Sequence, residues 1–491
     1  MPIHSESEAL AEIRRESQDI CNRIHSIAED STFVESVHDN YPQVPVLPAN
    51  LRCGAWYTDP RIISNIAAYF KSTDGHYGNW SFNLRRPNLH LLSLIVQSQG
   101  IILVDSTRAG KRMPDALSKT IPIWCAVVNI AVSQRYPDVL ANRSWETTLY
   151  TPPGTVSAQE HAHISARLSN WAESLFASSY DLPRLPHPLR PLWITPATSV
   201  FPELQSPEQR KFLPVICVSA SKQVADGLER RSSGFMYIQG SGDDHEVWAE
   251  GLTPKVFWMH REKLLRTPRS DVSSVIAAIL ANDLNTAQHL GGPIPISKLE
   301  GRLLVGALPG IERLSQDENV AFLLIGSPTS NGADSKAAVS TTPTESNPNA
   351  LPIHRSILHL SSPPGKRGQT HFLLSVLPQS IAFIGYHLQQ GRRVCICCES
   401  GTDISVGVAL AAAQRFFDDR GAYIEDEDRD ADNSYIGADG THYTPACSKE
   451  SIRTRLEWII ASHHTANPTR ATLKRVNEYF LSSPSFRAPA V

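Results

Sequence analysis

An apolar run, Val394-Cys395-Ile396, leads through Cys397, Cys398, Glu399, Ser400 and Gly401 into a run of mostly small residues, Ser405-Val406-Gly407-Val408-Ala409-Leu410-Ala411. A buried strand that turns at a glycine into such a helix leaves few choices of fold, because the helix has to pack closely on its own sheet. The stretch predicts an α/β layer architecture. The first-turn amides of the helix would lie at the end of the strand, where they and the helix dipole favour an anion. The local pattern therefore predicts a phosphate-holding loop.

At 491 residues the chain is long enough for two or three domains, each with its own core. We expect a mixed α/β N-terminal domain over 1–290 and a three-layer α/β domain over 291–491, divided at Gly291-Gly292-Pro293. In the first, Leu10, Ile13, Ser17, Ile20, Ile24 and Ile27 predict one amphipathic packing helix. Apolar runs at 91–96 and 101–104 alternate with polar loops, prolines at 183, 186, 188 and 191 predict an extended loop, and 272–290 reads as a helix. In the second, 303–305 and 321–325 read as strands, and Asn467-Pro468 reads as the cap and first residue of a last helix with Leu473, Val476 and Phe480 inward. Residues 327–350, rich in Ser, Thr, Pro, Ala and Asn, and the acidic, Gly/Asp-rich 424–441 read as insertions without packed structure.

With 46 basic and 49 acidic residues the net charge is -3, which rules against binding a polyanion by bulk charge and leaves only local patches. Eight cysteines without disulfide-framework or paired C-x-x-C spacing suit a reducing compartment, and a cytoplasmic protein is expected. Glu6, Glu8, Glu12 and Glu16 argue against a leader segment. The longest apolar stretch, 121–132, is broken by Pro122 and Asn129 and reads as too short for a membrane.

The loop from Cys398 to Ser405 resembles the phosphate loop of dual-specificity phosphatases, and the wider likeness covers 301–481. Where that family has an arginine, a preceding histidine and an upstream aspartate, this chain has Ile404, Cys397 and the segment Gly365-Lys366-Arg367-Gly368-Gln369. Without the guanidinium, the loop is expected to hold phosphate without cleaving phosphoesters. Asp403, a carboxylate inside an anion-binding turn, suits a sugar hydroxyl, a metal or a proton in transit. Cys395, Cys397 and Cys398 supply no tetrahedral metal set.

A second constellation begins with four apolar residues and Asp105, followed by Arg108, Lys111, Arg112, Asp115 and Lys119. It is similar to the phosphoribosyl-diphosphate loop of phosphoribosyltransferases, with Ser106 in place of the second acidic residue. Such clustered cations suit a polyphosphate or a nucleic-acid backbone. Upstream, His76, Trp80, Phe82, Arg85 and Arg86 combine an imidazole, aromatics and paired cations, consistent with RNA contact, while Trp80 and Phe82 by themselves suit a core. Near the C-terminus, Arg453, Arg455, Arg470, Lys474 and Arg475 form a basic cluster that RNA or a solvated face explains equally well.

Taken together, 69–76, 105–125, 398–406 and 466–473 resemble the initiator tRNA phosphoribosyltransferase family of fungi and plants, over about residues 10–482. The resemblance implies transfer of 5-phosphoribosyl from phosphoribosyl diphosphate to the 2′-hydroxyl of adenosine 64 in the T stem of initiator methionine tRNA, keeping that tRNA for initiation. On that reading Cys398, Glu399, Ser400, Gly401, Thr402 and Ser405 grip a donor phosphate, with Arg108, Lys111, Arg112 and Lys119 on the diphosphate. Asp403 and Asp105 are the catalytic carboxylates, Asp105 also holding Mg²⁺. His76, Arg85, Arg86, Arg453, Arg470, Lys474 and Arg475 meet the tRNA. The rival readings are a catalytically dead phosphatase-like adaptor and an RNA 5′-phosphatase.

Overall fold

The computed structural model describes residues 6–44, 50, 53–62, 66–141, 145–283, 292–308, 319–327, 356–363, 365–424 and 447–482. The chain divides into two units, 1–286 and 287–491. The expected insertions lie, apart from Ser327 and Ile424, outside the described residues.

The first unit contains helices α1 (Glu6–Gln18), α2 (Ile20–Asn40), α3 (His90–Gln97), α4 (Ile121–Arg135), α5 (Ala158–Ser165), α6 (Leu168–Phe176), α7 (His245–Trp248), α8 (Pro254–Arg266) and α9 (Val272–Asp283). Its main sheet joins β1 (Ile101–Asp105), β2 (Leu189–Ile194) and β3 (Leu213–Ser219) in the order β1-β3-β2, all parallel. A hairpin of β4 (Leu228–Arg230) and β5 (Met236–Ile238) follows. Side chains alternate across the central strands. Ile101, Leu103, Val215 and Cys217 enter a core with α3, α4 and α6, while Ile102, Val104, Ile216 and Val218 enter a second core with α2, α8 and α9. Burial on both faces is why these strands read as unbroken apolar runs.

Several expectations are corrected here. The first helix is two, because Asp19 ends one and caps the next by accepting from Asn22 N; Leu10 and Ile13 are 56% and 46% exposed, outside the core stripe. Pro191 lies in β2, at the edge of the sheet, where a missing N–H is tolerated. The apolar stretch at 121–132 continues upstream through a π-helical turn, Ala116–Thr120, so that Ala116–Arg135 is long and apolar enough to cross a membrane; it is 94% buried as the central helix of the first core. Described helix α9 ends at Asp283, and the rest of the expected 272–290 helix lies outside the described residues.

The second unit carries β6 (Ile294–Pro295), β7 (Leu303–Ala307), β8 (Val320–Gly326), β9 (Ile357–Ser361) and β10 (Arg393–Cys398) in the order β6-β7-β10-β8-β9, parallel except for β6. Its helices are α10 (Gly365–His371), α11 (Leu377–Gln389), α12 (Ile404–Phe416), α13 (Lys449–Ser462) and α14 (Arg470–Leu481). Strand β10 is thus the central one, and α12 is buried along its length by α11, α13, α14 and the sheet. Gly407 is where α14 comes closest, since a Cβ there would stand 2.4 Å from Thr472 Cγ2. The cap of α14 is Thr469, accepting from Thr472 N at 3.2 Å, and not Asn467, whose N–H donates to Thr402 O at 2.9 Å.

Candidate active site

Beyond the carboxyl end of β1, the loop 106–115 borders a cavity of about 680 Å³ that includes Lys71, His76, Thr107, Arg108, Lys111 and Asp115 in its wall. A neighbouring cavity of about 610 Å³ includes His76, Lys111, Arg112, Asp115, Lys119 and Gly154. The loop is held from beneath. The Gln239 amide donates to Arg108 O at 3.1 Å and Lys111 O at 2.7 Å. Ser106 Oγ meets Ser221 Oγ at 2.6 Å, and Asp30 accepts from Ser221 Oγ at 2.6 Å and Tyr237 OH at 2.7 Å. Burial pushes the Asp30 carboxyl up to about 8, against the pull of these hydrogen bonds.

Asp105 ends β1 fully buried. Cys53 Sγ and Ser106 N donate to its Oδ1 at 2.9 and 2.8 Å, and Asn50 Nδ2 to its Oδ2 at 2.9 Å. Asn50 also accepts from Phe70 N at 2.7 Å, so Asp105 fastens the 69–76 segment beside the loop. This corrects its expected role, because a sealed carboxylate with both oxygens engaged touches neither substrate nor Mg²⁺. Among the described residues there is no group of three or more His, Cys, Asp and Glu placed to hold a metal.

Asp115 is the hub instead. Lys111 Nζ reaches its Oδ2 at 2.8 Å, Lys119 Nζ its Oδ1 at 2.9 Å, and His76 Nε2 stands 3.7 Å from Oδ2. Burial works to raise this carboxyl, but hydrogen bonds and charge from Lys111 and Lys119 outweigh it and hold it below its usual range. Lys119, 8% exposed, also donates to Glu160 Oε1 at 3.0 Å, which Trp80 Nε1 meets at 2.9 Å. Its ammonium is therefore committed to two buried carboxylates and is no free phosphate arm. Arg108 pairs with Asp244 at 2.7 Å and lies 3.8 Å from Asp243. Arg112 is exposed, with no ion-pair partner among the described residues.

The 69–76 segment is tied to the helix that follows the loop. Thr120 Oγ1 donates to Lys71 O at 3.0 Å, and a Cβ on Gly75 would come 2.8 Å from Asp115 O, an approach only glycine allows. Arg86, with its side chain 9% exposed, holds Asp74 at 2.8 Å and lies over the Tyr69 ring, which corrects its reading as an RNA contact. Trp80 is a core residue with Phe82 packed on its cluster, and Arg85 is half-buried.

In the second unit, Cys398 Sγ sits 3.1 Å from Ser405 Oγ at the root of the loop 398–405. Gly401 turns the chain at φ +69 where a Cβ would be 2.8 Å from Ala307 N. His463 Nε2 donates to Gly401 O at 2.9 Å, and Glu399 accepts from Ser327 N at 3.0 Å. Burial lowers the His463 pKa, opposed by that hydrogen bond. Asp403 Oδ1 accepts from Thr469 N at 2.8 Å, bracing the start of α14; Thr402 Oγ1 donates to Ser400 Oγ at 3.0 Å. Arg455 is fully buried and donates to Ala413 O and Phe417 O, which removes it from the surface cluster. Arg453 lies 3.6 Å from Glu457, and Arg475 pairs with Glu478. Arg470 and Lys474 share a shallow groove with Lys449.

Sequence reasoning missed Asp30, Ser221, Gln239, Glu160, Asp243 and Asp244. None lies in a recognisable motif: Ser221 meets Ser106 from 115 residues away, Gln239 and Asp244 meet Arg108 from 131 and 136, Glu160 meets Lys119 from 41, and Asp30 stands behind Ser221 at a separation of 191. The sequence offered only their polarity, among neighbours that are mostly polar as well.

These features define a two-part protein: an α/β unit with a braced, cation-bearing loop, and a phosphatase-like unit whose loop after β10 has Ile404 where phosphatases carry arginine. Residues 13–281 match the family model of the Rit1 N-terminal domain, and residues 356–480 that of the Rit1 DUSP-like domain. The chain is 31% identical to the tRNA A64-2′-O-ribosylphosphate transferase of Saccharomyces cerevisiae, over 97% of this chain and 94% of that protein. It is 35% identical to an uncharacterized protein of Schizosaccharomyces pombe, over 97% of each. A solved leucine-rich repeat and phosphatase domain protein of Entamoeba histolytica, 10% identical, covers 40% of this chain and 96% of its own with a TM-score of 0.23, too slight a likeness to bear on the fold. The chain belongs to the Rit1 family.

Proposed function

We propose that this protein is a pentosyltransferase of the cytoplasm that moves 5-phosphoribosyl from phosphoribosyl diphosphate to the 2′-hydroxyl of adenosine 64 in initiator methionine tRNA, withholding that tRNA from elongation. The observation that carries the reading is the pair of cavities at the carboxyl end of β1, lined by Lys71, Arg108, Lys111 and Arg112. Ligands of open α/β sheets bind outside the carboxyl ends of strands, and at this position those four cations stand together with Asp115, Asp243 and Glu246. An identity of 31% over nearly the full length of a tRNA A64-2′-O-ribosylphosphate transferase supports the substrate.

The residues of the loop fit a polyanionic donor better than a metal cage, since their carboxylates are engaged by Lys111, Lys119 and Arg108. Mg²⁺ enters this reading as the counter-ion of the diphosphate, and no step of the protein's own chemistry is routed through it. The arginine-free loop at Cys398 suits phosphate retention because substitution at a sugar carbon requires no thiolate attack on phosphorus. The test is incubation with ribose-labelled phosphoribosyl diphosphate, Mg²⁺ and either initiator or elongator methionine tRNA. Label is expected on the initiator alone; label on neither overturns the proposal.

A further inference from the structure

Three residues, His76, Lys111 and Asp115, line both cavities beside the β1 loop. A transfer between two substrates needs space for each and one proton acceptor reachable from both, so a residue in the shared wall is placed for that task. Of the three, Lys111 is a cation paired with Asp115. Asp115 has an oxygen on each of two lysines and is held below the ordinary carboxylate range, which makes it a poor base. His76 is different. Its side chain is 49% exposed, its Nε2 faces Asp115 Oδ2 at 3.7 Å, and an imidazole can take a proton on one ring nitrogen while the other faces a carboxylate.

The backbone around it is firmly placed. His76 follows the turn Ser72–Gly75, which is fixed by the Arg86 pair with Asp74, by the bond from Ser81 N to Asp74 O at 2.9 Å, and by the close approach of Gly75 to Asp115 O. His245 borders only the first cavity. Asp105 is sealed, and Glu160 is taken by Lys119 and Trp80.

We infer that His76 is the proton acceptor for the attacking ribose hydroxyl, with Asp115 as the positioning residue that orients its ring. This deepens the proposed phosphoribosyl transfer and rests on it. As the acceptor O2′ forms its bond to C1 of the donor ribose, the bond from C1 to the diphosphate oxygen breaks and its electron pair leaves with diphosphate. The proton of the 2′-hydroxyl passes to His76 Nδ1. The imidazolium then points its Nε2–H at the Asp115 carboxylate, which stays ionised throughout.

The test is the rate of label transfer to initiator tRNA against pH for the wild-type chain, His76→Gln and His76→Ala, with donor binding followed by equilibrium dialysis and RNA binding by filter retention. His76 is half-exposed, so either variant should fold. The expectation is a kcat lower by about 10²–10⁴-fold with both affinities retained, loss of the acidic limb of the profile, and partial rescue of His76→Ala by added imidazole. A variant with kcat within threefold of wild type, or one whose entire loss lies in RNA affinity, overturns the inference while leaving the transferase reading intact. A wild-type chain that labels no RNA removes both.

Discussion

The loop after β1 and the loop after β10 both turn a buried parallel strand into a buried helix, and each has a side chain on a carbonyl, Gln239 in the first and His463 in the second, yet their surroundings differ. Around Asp115 the β1 loop is built from charged side chains: Lys111, Lys119, Glu160 and the nearby Arg108 with Asp243 and Asp244. Around Gly401 the β10 loop is held largely through its backbone, by His463 on a carbonyl, Asn467 N–H on Thr402 O, and a carboxylate spent on Thr469 N–H. The difference teaches where chemistry can reside. Peptide groups keep fixed dipoles, whereas a lattice of ionised side chains offers groups that can also take a proton or follow a moving charge.

The sharpest way to break this contrast is Lys119→Met, which strands Asp115 and Glu160 together in the interior. We expect a loss of roughly 3–5 kcal/mol in denaturant unfolding, because one partner of a buried pair cannot simply be removed. Asp30 gives the loop's support a pH signature. Its folded pKa of about 8 lies above its ordinary 3.8, so the folded state keeps a proton that the unfolded chain releases. That stability is present in full below the unfolded value and lost as pH rises toward the folded one. Thermal melts should show this decline in wild type and a flatter profile in Asp30→Asn.

On the other side of the comparison, Gly401→Ala should cost about 1–3 kcal/mol through its positive φ and its contact with Ala307, measured by the same unfolding curves. His463→Ala should cost about 1–2 kcal/mol for the carbonyl it leaves unmet. Because burial depresses the His463 pKa, its stabilisation is present above the unfolded value near 6.5 and lost as pH falls toward the lower folded one. At the small end, Lys474→Ala should stay within about 0.5 kcal/mol, since Lys474 is exposed and its partner Glu478 keeps Arg475.

The strands at 101–105, 303–307 and 320–326 were legible because burial on both faces leaves an apolar run no other explanation. Pro191 was misread as loop because edge position is a property of pairing, and its neighbour Val215 lies 24 residues on, in another strand. The candidate site was legible as a set of residue types and much less so as a set of roles. Asp105 and Asp115 are both acids in one polar stretch, but Asn50 and Cys53 seal the first while the second is left at a cavity wall. Lys119 is indistinguishable in sequence from Arg112 until Glu160 is brought beneath it.

The sequence by itself determined the alternation that makes these α/β layers, the turn that only glycine makes at 401, the absence of the phosphatase arginine and the clustering of cations after β1. Those are local properties, decided by side-chain size, backbone freedom and charge along a few residues. Which carboxylate is sealed and which faces a cavity, which lysine is free and which is buried, and the placing of His76 where two cavities meet were decided only by tertiary structure. Each depends on partners far along the chain, and it is burial by those partners that sets the cost of a charge and therefore its role.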